Sequence, residues 1–456
     1  MPKSTDQKSR NRAFNKILAS MVFPLAIQNF MSSAVNAADA VMLGFVEQDA
    51  LSAVSLAGQI CFIFNLFMTV VTVSTTILAA QYWGKGDRKT VEQILAFAMK
   101  LSFVVALLFF AASVFFPALL MRIFTSDEAL ITYGAQYLRI MSFSFPLVSV
   151  SQVYLCIMKN SGKTAKSTVI GSSAMILNIL FNAVLIFGLL GLPTLGIAGA
   201  AIASVLARLI ETVWALTESF RKGNIKIRRK YLRRIHKALH ADYIKNAVPV
   251  FLNYMVWGVG FAMYSVIMGH LGSDAVAANA IANIMKNLII CICLGIGTAG
   301  GILVGNELGK GDIQRGIEVG GKVTRLAIAS GIVSGALLLA LTPLITNLAD
   351  LSDTAREYLQ GMLLMCCYYV IGKSVNSTTI GGIFCAGGDA KFGFYCDSIV
   401  MWLIMVPLGF LAAFVWHLPV LAVYFILSFD EFIKLPIVFL HYRKYGWARD
   451  LTREHN

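Results

Sequence analysis

Asp39 stands inside the apolar stretch "AVNAADAVMLGFV", and Asn178 and Asn182 stand four apart inside "LNILFNAVLIF". A carboxylate with amide partners in such surroundings can exchange a proton, hold a sodium ion or attract an organic cation. It needs a reason to be there, because each ionisable group at membrane depth costs about 2.5 to 3.5 kcal/mol on insertion scales. A second polar set, Lys286, Lys373, Asp397, Asp430, Glu431 and Lys434, lies in or beside later apolar runs. Its members can form a second cation-linked site or a neutralised network that fixes helices. All six His lie in loops, at helix ends or in tails, so no histidine relay or metal site is expected in the membrane. The eight Cys fall in or beside apolar runs without zinc-type spacing and read as packing residues; no cofactor is expected.

The elements that must position these groups follow from composition. Of 456 residues, 57% are hydrophobic and 14% charged, outside the range of soluble domains of this size. Twelve apolar runs, centred near Ile27, Met68, Ala106, Val148, Ile179, Arg208, Trp257, Cys293, Ser334, Ile371, Leu403 and Asp430, are long enough to span a ~30 Å hydrocarbon core as helices. The net charge of +14 collects in alternate connections, around Lys85, Lys163, Arg229, Lys310 and Lys391 and in both tails. That positive-inside pattern places both termini in the cytoplasm and fixes an even number of spans; a multi-pass protein of the cell membrane, in a prokaryote, is expected. The leading "MPKSTDQKSRNRAFNK" reads as a cytoplasmic tail rather than a signal peptide. The basic stretch from 219 to 243 reads as a linker near anionic lipid heads, not as a nucleic-acid patch.

The turn Gly84-Lys85-Gly86-Asp87 returns 225 residues on as Gly309-Lys310-Gly311-Asp312. The same offset pairs Pro24 with Pro249, Gly44 with Gly269, Asp49-Ala50 with Asp274-Ala275 and Ala165-Lys166 with Ala390-Lys391. The chain is therefore an internal repeat of six spans per half, both entering the membrane the same way round. Pro24 and Pro249 interrupt the first span of each half and are candidate hinges.

The repeat also acts as a control, because a polar residue that the fold demands should recur in both halves. Asp39 maps onto Tyr264, Asn178 onto Leu403 and Asn182 onto Pro407, so this set is private to the first half. Asn178 and Asn182 share a helix face. Asp39 and Asn182 both sit ~10 Å below the outer surface and can meet. Asp397 and Asp430 are private to the second half, whereas Glu431 and Lys434 map onto Arg208 and Glu211 and read as architecture. Two motifs are set aside: Gly84-x-Gly86-Asp87 is a loop rather than a protease carboxylate, and "SGKT" at 161 to 164 lacks the upstream Gly of a phosphate loop.

In order and spacing, "DAVMLGFVEQDALSAVSLAGQI", "LAAQYWGKGD", "LNILFNAVLIFGLLGLPTLGIAGAAIAS" and "IFCAGGDAKF" resemble the multidrug and toxic compound extrusion (MATE) transporters. The resemblance implies an all-α membrane protein, twelve transmembrane helices in two pseudo-twofold-related six-helix lobes. The lobes would be 14–218 and 244–442, joined by the linker 219–243 and flanked by tails 1–13 and 443–456. It implies a secondary active exporter of cationic or amphipathic organic compounds, drugs among them, coupled to proton or sodium influx by alternating access and expected to act as a monomer. It adds Ser204 to Asp39, Asn178 and Asn182, whose oxygens would also serve sodium. The alternatives are a lipid-linked oligosaccharide flippase of the same superfamily and, more distantly, an intramembrane enzyme. The chain departs from the sodium-linked branch, whose Glu and Asp fall at Trp257 and within one residue of Asn376, and from the proton-linked branch, which often has Asp at the place of Asn182.

Overall fold

The computed structural model describes residues 3–44, 48–191, 193–233, 236–349 and 351–453, without the side chains of 3–13, 36–37, 39–41, 43–44, 48–51, 190, 229 and 233. Among these residues the chain is helical throughout its regular structure. The first half runs α1 (Lys3–Gly44), α2 (Gln48–Lys85), α3 (Arg88–Phe115), α4 (Pro117–Arg122), α5 (Glu128–Met141), α6 (Ser144–Asn160), α7 (Thr164–Phe187) and α8 (Gly196–Phe220). A short α9 (Arg229–Arg233) lies in the basic linker. The second half runs α10 (Lys237–Gly269), α11 (Ser273–Gly309), α12 (Ile313–Leu348), α13 (Asp353–Asn376), α14 (Ala390–Asp397), α15 (Val406–Phe410), α16 (Val420–Leu427) and α17 (Asp430–Arg443). Wider π-helical turns at Ser377–Phe384, Ser398–Met405 and Leu411–Val415 continue the helices that precede them.

Nine of the described helices are long and apolar enough to cross a membrane, and ten if α5 and α6, bent by 47°, form one span. The other two expected spans fall on α13 with its π extension and on α16 with α17, which carry Lys373, Asp430, Glu431 and Lys434. Many large apolar side chains point outward, among them Leu108, Phe115, Val333 and Leu403, as lipid-facing helices require.

Asp87 caps α3 by accepting from the Thr90 N–H at 3.0 Å, and Asp312 caps α12 by accepting from the Arg315 N–H at 2.9 Å. Gly86 and Gly311 take φ of +83° and +81°, the left-handed turn that lets one helix end and the next begin. The two copies of the motif thus make the same turn.

The chain divides into two compact units. One comprises Met1–Asn29, Ala80–Gly86 and Val248–Asn456; the other comprises Phe30–Ala79 and Asp87–Ala247. The first half of the first span, expected in the N-terminal lobe, thus packs with the second repeat. Phe14, Leu18, Met21 and Leu25 join Ile296, Ala299 and Ile302 of α11 and Val323 and Ala327 of α12 in one buried cluster that also takes in Phe384 and Trp447. Gly295 lets α11 close on α1, since a Cβ there would lie 3.0 Å from the backbone N of Ala26.

In the same unit, the ends of α2 and α11 cross with glycine on backbone. A Cβ on Gly84 would lie 2.0 Å from the Asn306 carbonyl oxygen, and one on Gly309 would lie 1.9 Å from that of Gln81. Under the repeat offset Gln81 becomes Asn306 and Gly84 becomes Gly309, so each contact is the image of the other. The C-terminal segment straps this crossing. The Gln81 amide donates to the Ala386 and Arg449 carbonyls at 2.7 and 3.0 Å, and its oxygen accepts from the Leu451 N–H at 2.6 Å.

The second unit is tied by hydroxyls and small residues. Thr212 of α8 donates to the Leu147 carbonyl of α6 at 3.0 Å, and Tyr243 donates to that of Val71 at 3.0 Å. A Cβ on Gly199 would lie 2.6 Å from the Leu185 carbonyl, so α7 and α8 touch by their backbones near the polar cluster described next.

Candidate functional site

Asn178 and Asn182 lie one turn apart on α7, both buried, facing α8. The Asn182 amide donates to the Asn178 oxygen at 3.4 Å, and the Asn178 amide donates to Ser204 Oγ of α8 at 3.1 Å. The three make one hydrogen-bonded chain, and the Ser204 hydroxyl hydrogen stays available to a further acceptor. The residue expected to accept, Asp39, lies on α1, and its side chain is outside the described residues. Pro24 and Pro249 both sit within uninterrupted helices, α1 and α10.

The second polar set converges within one unit. Lys434 of α17 lies 2.8 Å from Asp397, 3.7 Å from Asp430 and 3.9 Å from Glu431. Lys373 of α13 reaches Glu431 at 3.0 Å and stands over the Trp257 ring at 5.2 Å. Asp397, Asp430, Glu431 and Lys434 are all buried. Asp397 and Asp430 therefore face Lys434, as a carboxylate in an apolar medium must face some cation.

Arg208 and Glu211 behave as the sequence pairing suggested, bonded along their own helix at 2.6 Å. Glu431 and Lys434 pair along their helix as well, more loosely at 3.9 Å. Glu431 is held more closely by Lys373 and by the Asn376 amide, which donates to its carboxylate at 2.8 Å and to its carbonyl at 2.7 Å. Asn376 is the last residue of α13, directly before the helix widens into π turns at Ser377. Trp257 and Asn376 thus lie around Lys373 and Glu431.

Sequence reasoning missed Asn253, whose amide donates to Asp397 at 2.7 Å. The signal was present as a lone amide in the run "VPVFLNYMVW", but its repeat partner is Gln28, also polar, so the internal control files it under fold.

Beside this network, and wholly within the same unit, lies a small cavity. Rings of Trp257, Phe261, Tyr264, Tyr369 and Tyr424 form one part of its wall; Asn279, Asn283, Lys286, Ser428 and Asp430 supply polar groups. Among the described residues no cluster of His, Cys, Asp and Glu is arranged to hold a metal ion.

A model of the MatE family matches residues 24–184 and 249–411, two segments that begin at the paired prolines and stand one repeat apart. The chain is 23% identical over 448 residues to "Uncharacterized transporter YisQ" of Bacillus subtilis, covering 97% of both chains. It is 23% identical over 463 residues to "Probable multidrug resistance protein YoeA" of the same organism, covering 99% of this chain and 98% of the other. A solved structure described as MATE in the straight conformation superposes with a TM-score of 0.86 at 16% identity, over 94% of this chain and 95% of the other. With both repeats matched in this way, the chain is an all-α, multi-pass membrane protein that belongs to the MatE family, whose members are transporters and not enzymes.

Proposed function

We propose that the protein is a secondary active exporter of cationic or amphipathic organic compounds, drugs among them, driven by influx of protons or sodium through alternating access. The observation that carries this reading is the family match across both repeats, among relatives that bear the name multidrug resistance protein. The same names favour an exporter over a flippase of lipid-linked oligosaccharide.

The coupling group in this reading is Asp39, with Asn178, Asn182 and Ser204 as its partners. A carboxylate at membrane depth with amide and hydroxyl donors within reach is a group that can take a proton from one side and give it to the other. Ionised, it attracts a cationic substrate; protonated from outside, or satisfied by sodium, it releases that substrate outward as α1 bends near Pro24. One charge moving through 100 mV supplies ~2.3 kcal/mol, roughly a 50-fold substrate gradient, so one coupled ion suffices. In this reading the protein works as a monomer with both termini in the cytoplasm.

Export of a lipophilic cation by protein in liposomes, under an imposed pH or sodium gradient, tests the proposal. Asp39→Asn should abolish the gradient-driven part while the protein still folds. Wild-type export by that variant under both gradients would sink the assignment.

A further inference from the structure

A groove between α3 and the start of α10 lies wholly within the second unit and shares no residue with either polar set. Its volume is about 460 Å³, and it is lined by Phe97, Lys100, Leu101 and Val104 of α3 and by Lys237, His240 and Ile244 of α10. The spacings are i, i+3, i+4, i+7 on one helix and i, i+3, i+7 on the other, so each helix turns a single stripe towards it. Phe97 is the buried floor, in T-shaped contact with the His240 ring at 4.9 Å and with the Tyr243 ring at 4.7 Å.

Charge gives way to apolar sequence at this level on both helices. Lys100 is the last charged residue of α3, with none in 101–116, and Lys245 is the last on α10 before 246–269, which carry none. The groove therefore sits at the depth of lipid head groups, with Lys100, Lys237 and His240 exposed at one end and half-exposed Val104 about 6 Å further along α3.

The sign of the groove is positive. Among the described residues, neither Lys100 nor Lys237 is in an ion pair. The nearby carboxylates are engaged or turned away: Glu92 lies 2.6 Å from Arg228 and accepts from the Lys226 N–H at 3.4 Å. Asp242, at about 100° per residue, falls on the opposite side of α10 from Lys237, His240 and Ile244. An exposed lysine is satisfied by water and needs no partner, but water does not satisfy the apolar stretch beside it, and a hydrocarbon chain alone would leave the cations unmatched. One amphipathic anion satisfies both.

The repeat separates the two ingredients. Lys100 maps onto Arg325 and Lys237 onto Arg12, so cations mark this level in both halves; Phe97 maps onto Lys322 and His240 onto Asn15, so the aromatic floor beside them is private to the first half.

We propose that this groove is a binding site for a phospholipid of net negative charge. Its phosphate lies between Lys100 and Lys237 and accepts from the His240 ring, and one acyl chain runs past Leu101 and Val104 into the membrane. The charge and the apolar path both complement such a lipid, and leaflets rich in acidic lipids attract basic segments of this kind.

The test uses the purified full chain in detergent, with native mass spectrometry counting the phosphatidylglycerol or phosphatidylcholine of matched acyl chains retained per protein. Wild type should hold its first phosphatidylglycerol roughly 30-fold more tightly than phosphatidylcholine, the worth of two lysines at a membrane surface. Lys100→Gln with Lys237→Gln should erase that preference. Lys222→Gln with Lys230→Gln, which removes the same charge from exposed linker positions outside the groove, should leave it. Inorganic phosphate, which has no chain for the apolar path, should displace no more lipid than chloride of equal ionic strength. Equal retention of both lipids by wild type, a preference that survives the groove double variant or falls equally in the linker variant, or displacement by phosphate beyond the chloride control would overturn the proposal. Should the groove variant fail to fold, the wild-type preference, the linker variant and the phosphate arm still decide.

Discussion

Replacing Gly309 by Ala puts a methyl carbon 1.9 Å from the Gln81 carbonyl oxygen, and replacing Gly84 puts one 2.0 Å from that of Asn306. Carbon and oxygen in contact need about 3.3 Å, so either change must part the ends of α2 and α11 by roughly 1.3 Å. The obstacle is backbone, which has no rotamer to escape into, so the cost falls at the top of the overpacking range, about 3 kcal/mol. Helix propensity returns up to about 1 kcal/mol, leaving a net loss of about 2 kcal/mol for each single variant. The two contacts lie on one crossing and are opened by one movement. Once the first Ala has parted the helices, the second finds its clash largely relieved, and the double variant should lose little more than either single, a coupling of about 2 kcal/mol. Unfolding of the full chain in mixed micelles gives all three values. Gly58→Ala, whose Cβ would meet nothing within 4 Å, is the control and should be neutral or stabilising. Wild-type stability in both singles, or a double variant that loses the full sum, would show that the crossing is not held as described.

The buried charges and the tail give two further expectations. Lys434→Met removes the cation that faces two buried carboxylates, Asp397 and Asp430, and should cost about 3 to 5 kcal/mol in the same assay, with Asp397→Asn in that background recovering part of it; a neutral single variant would mean that the network carries no burden. Trp447→Ala empties a fully buried position under the C-terminal strap, should cost about 3 to 5 kcal/mol, and should open the chain to protease after residue 445; an unchanged digestion pattern would show that the strap does not depend on it.

What could be read from the sequence was local or periodic. The Gly-Lys-Gly-Asp turns were legible because a positive φ and a helix cap are set by neighbours along the chain, and the spans because hydropathy adds up over twenty residues. The meeting of Asn178, Asn182 and Ser204 was also within reach, since α7 and α8 are consecutive and helical spacing aligns the amides. The crossing of α2 and α11 was not, because nothing near Gly84 or Gly309 states that a distant backbone will lie against it. Glu431 was assigned to Lys434 on helical spacing, yet Lys373 and Asn376, on another helix, hold it more closely.

Phe14, Leu18, Met21 and Leu25 pack on Ile296, Val323 and Ala327, residues that the ribosome adds some three hundred positions later. At about 5 to 20 residues per second, the leading helix waits roughly 15 to 60 seconds for its partners, with part of α1 already made and its packing face uncovered. The unit built from Phe30–Ala79 and Asp87–Ala247 has no such wait, because every segment of it has been synthesised before Val248 is added. Biogenesis of this chain is therefore asymmetric despite its duplicated sequence: one compact body can be completed during synthesis, while the other keeps its first strip of contacts open until late in translation. That interval is when the opening helix is most exposed to insertion errors, to chaperones and to membrane proteases.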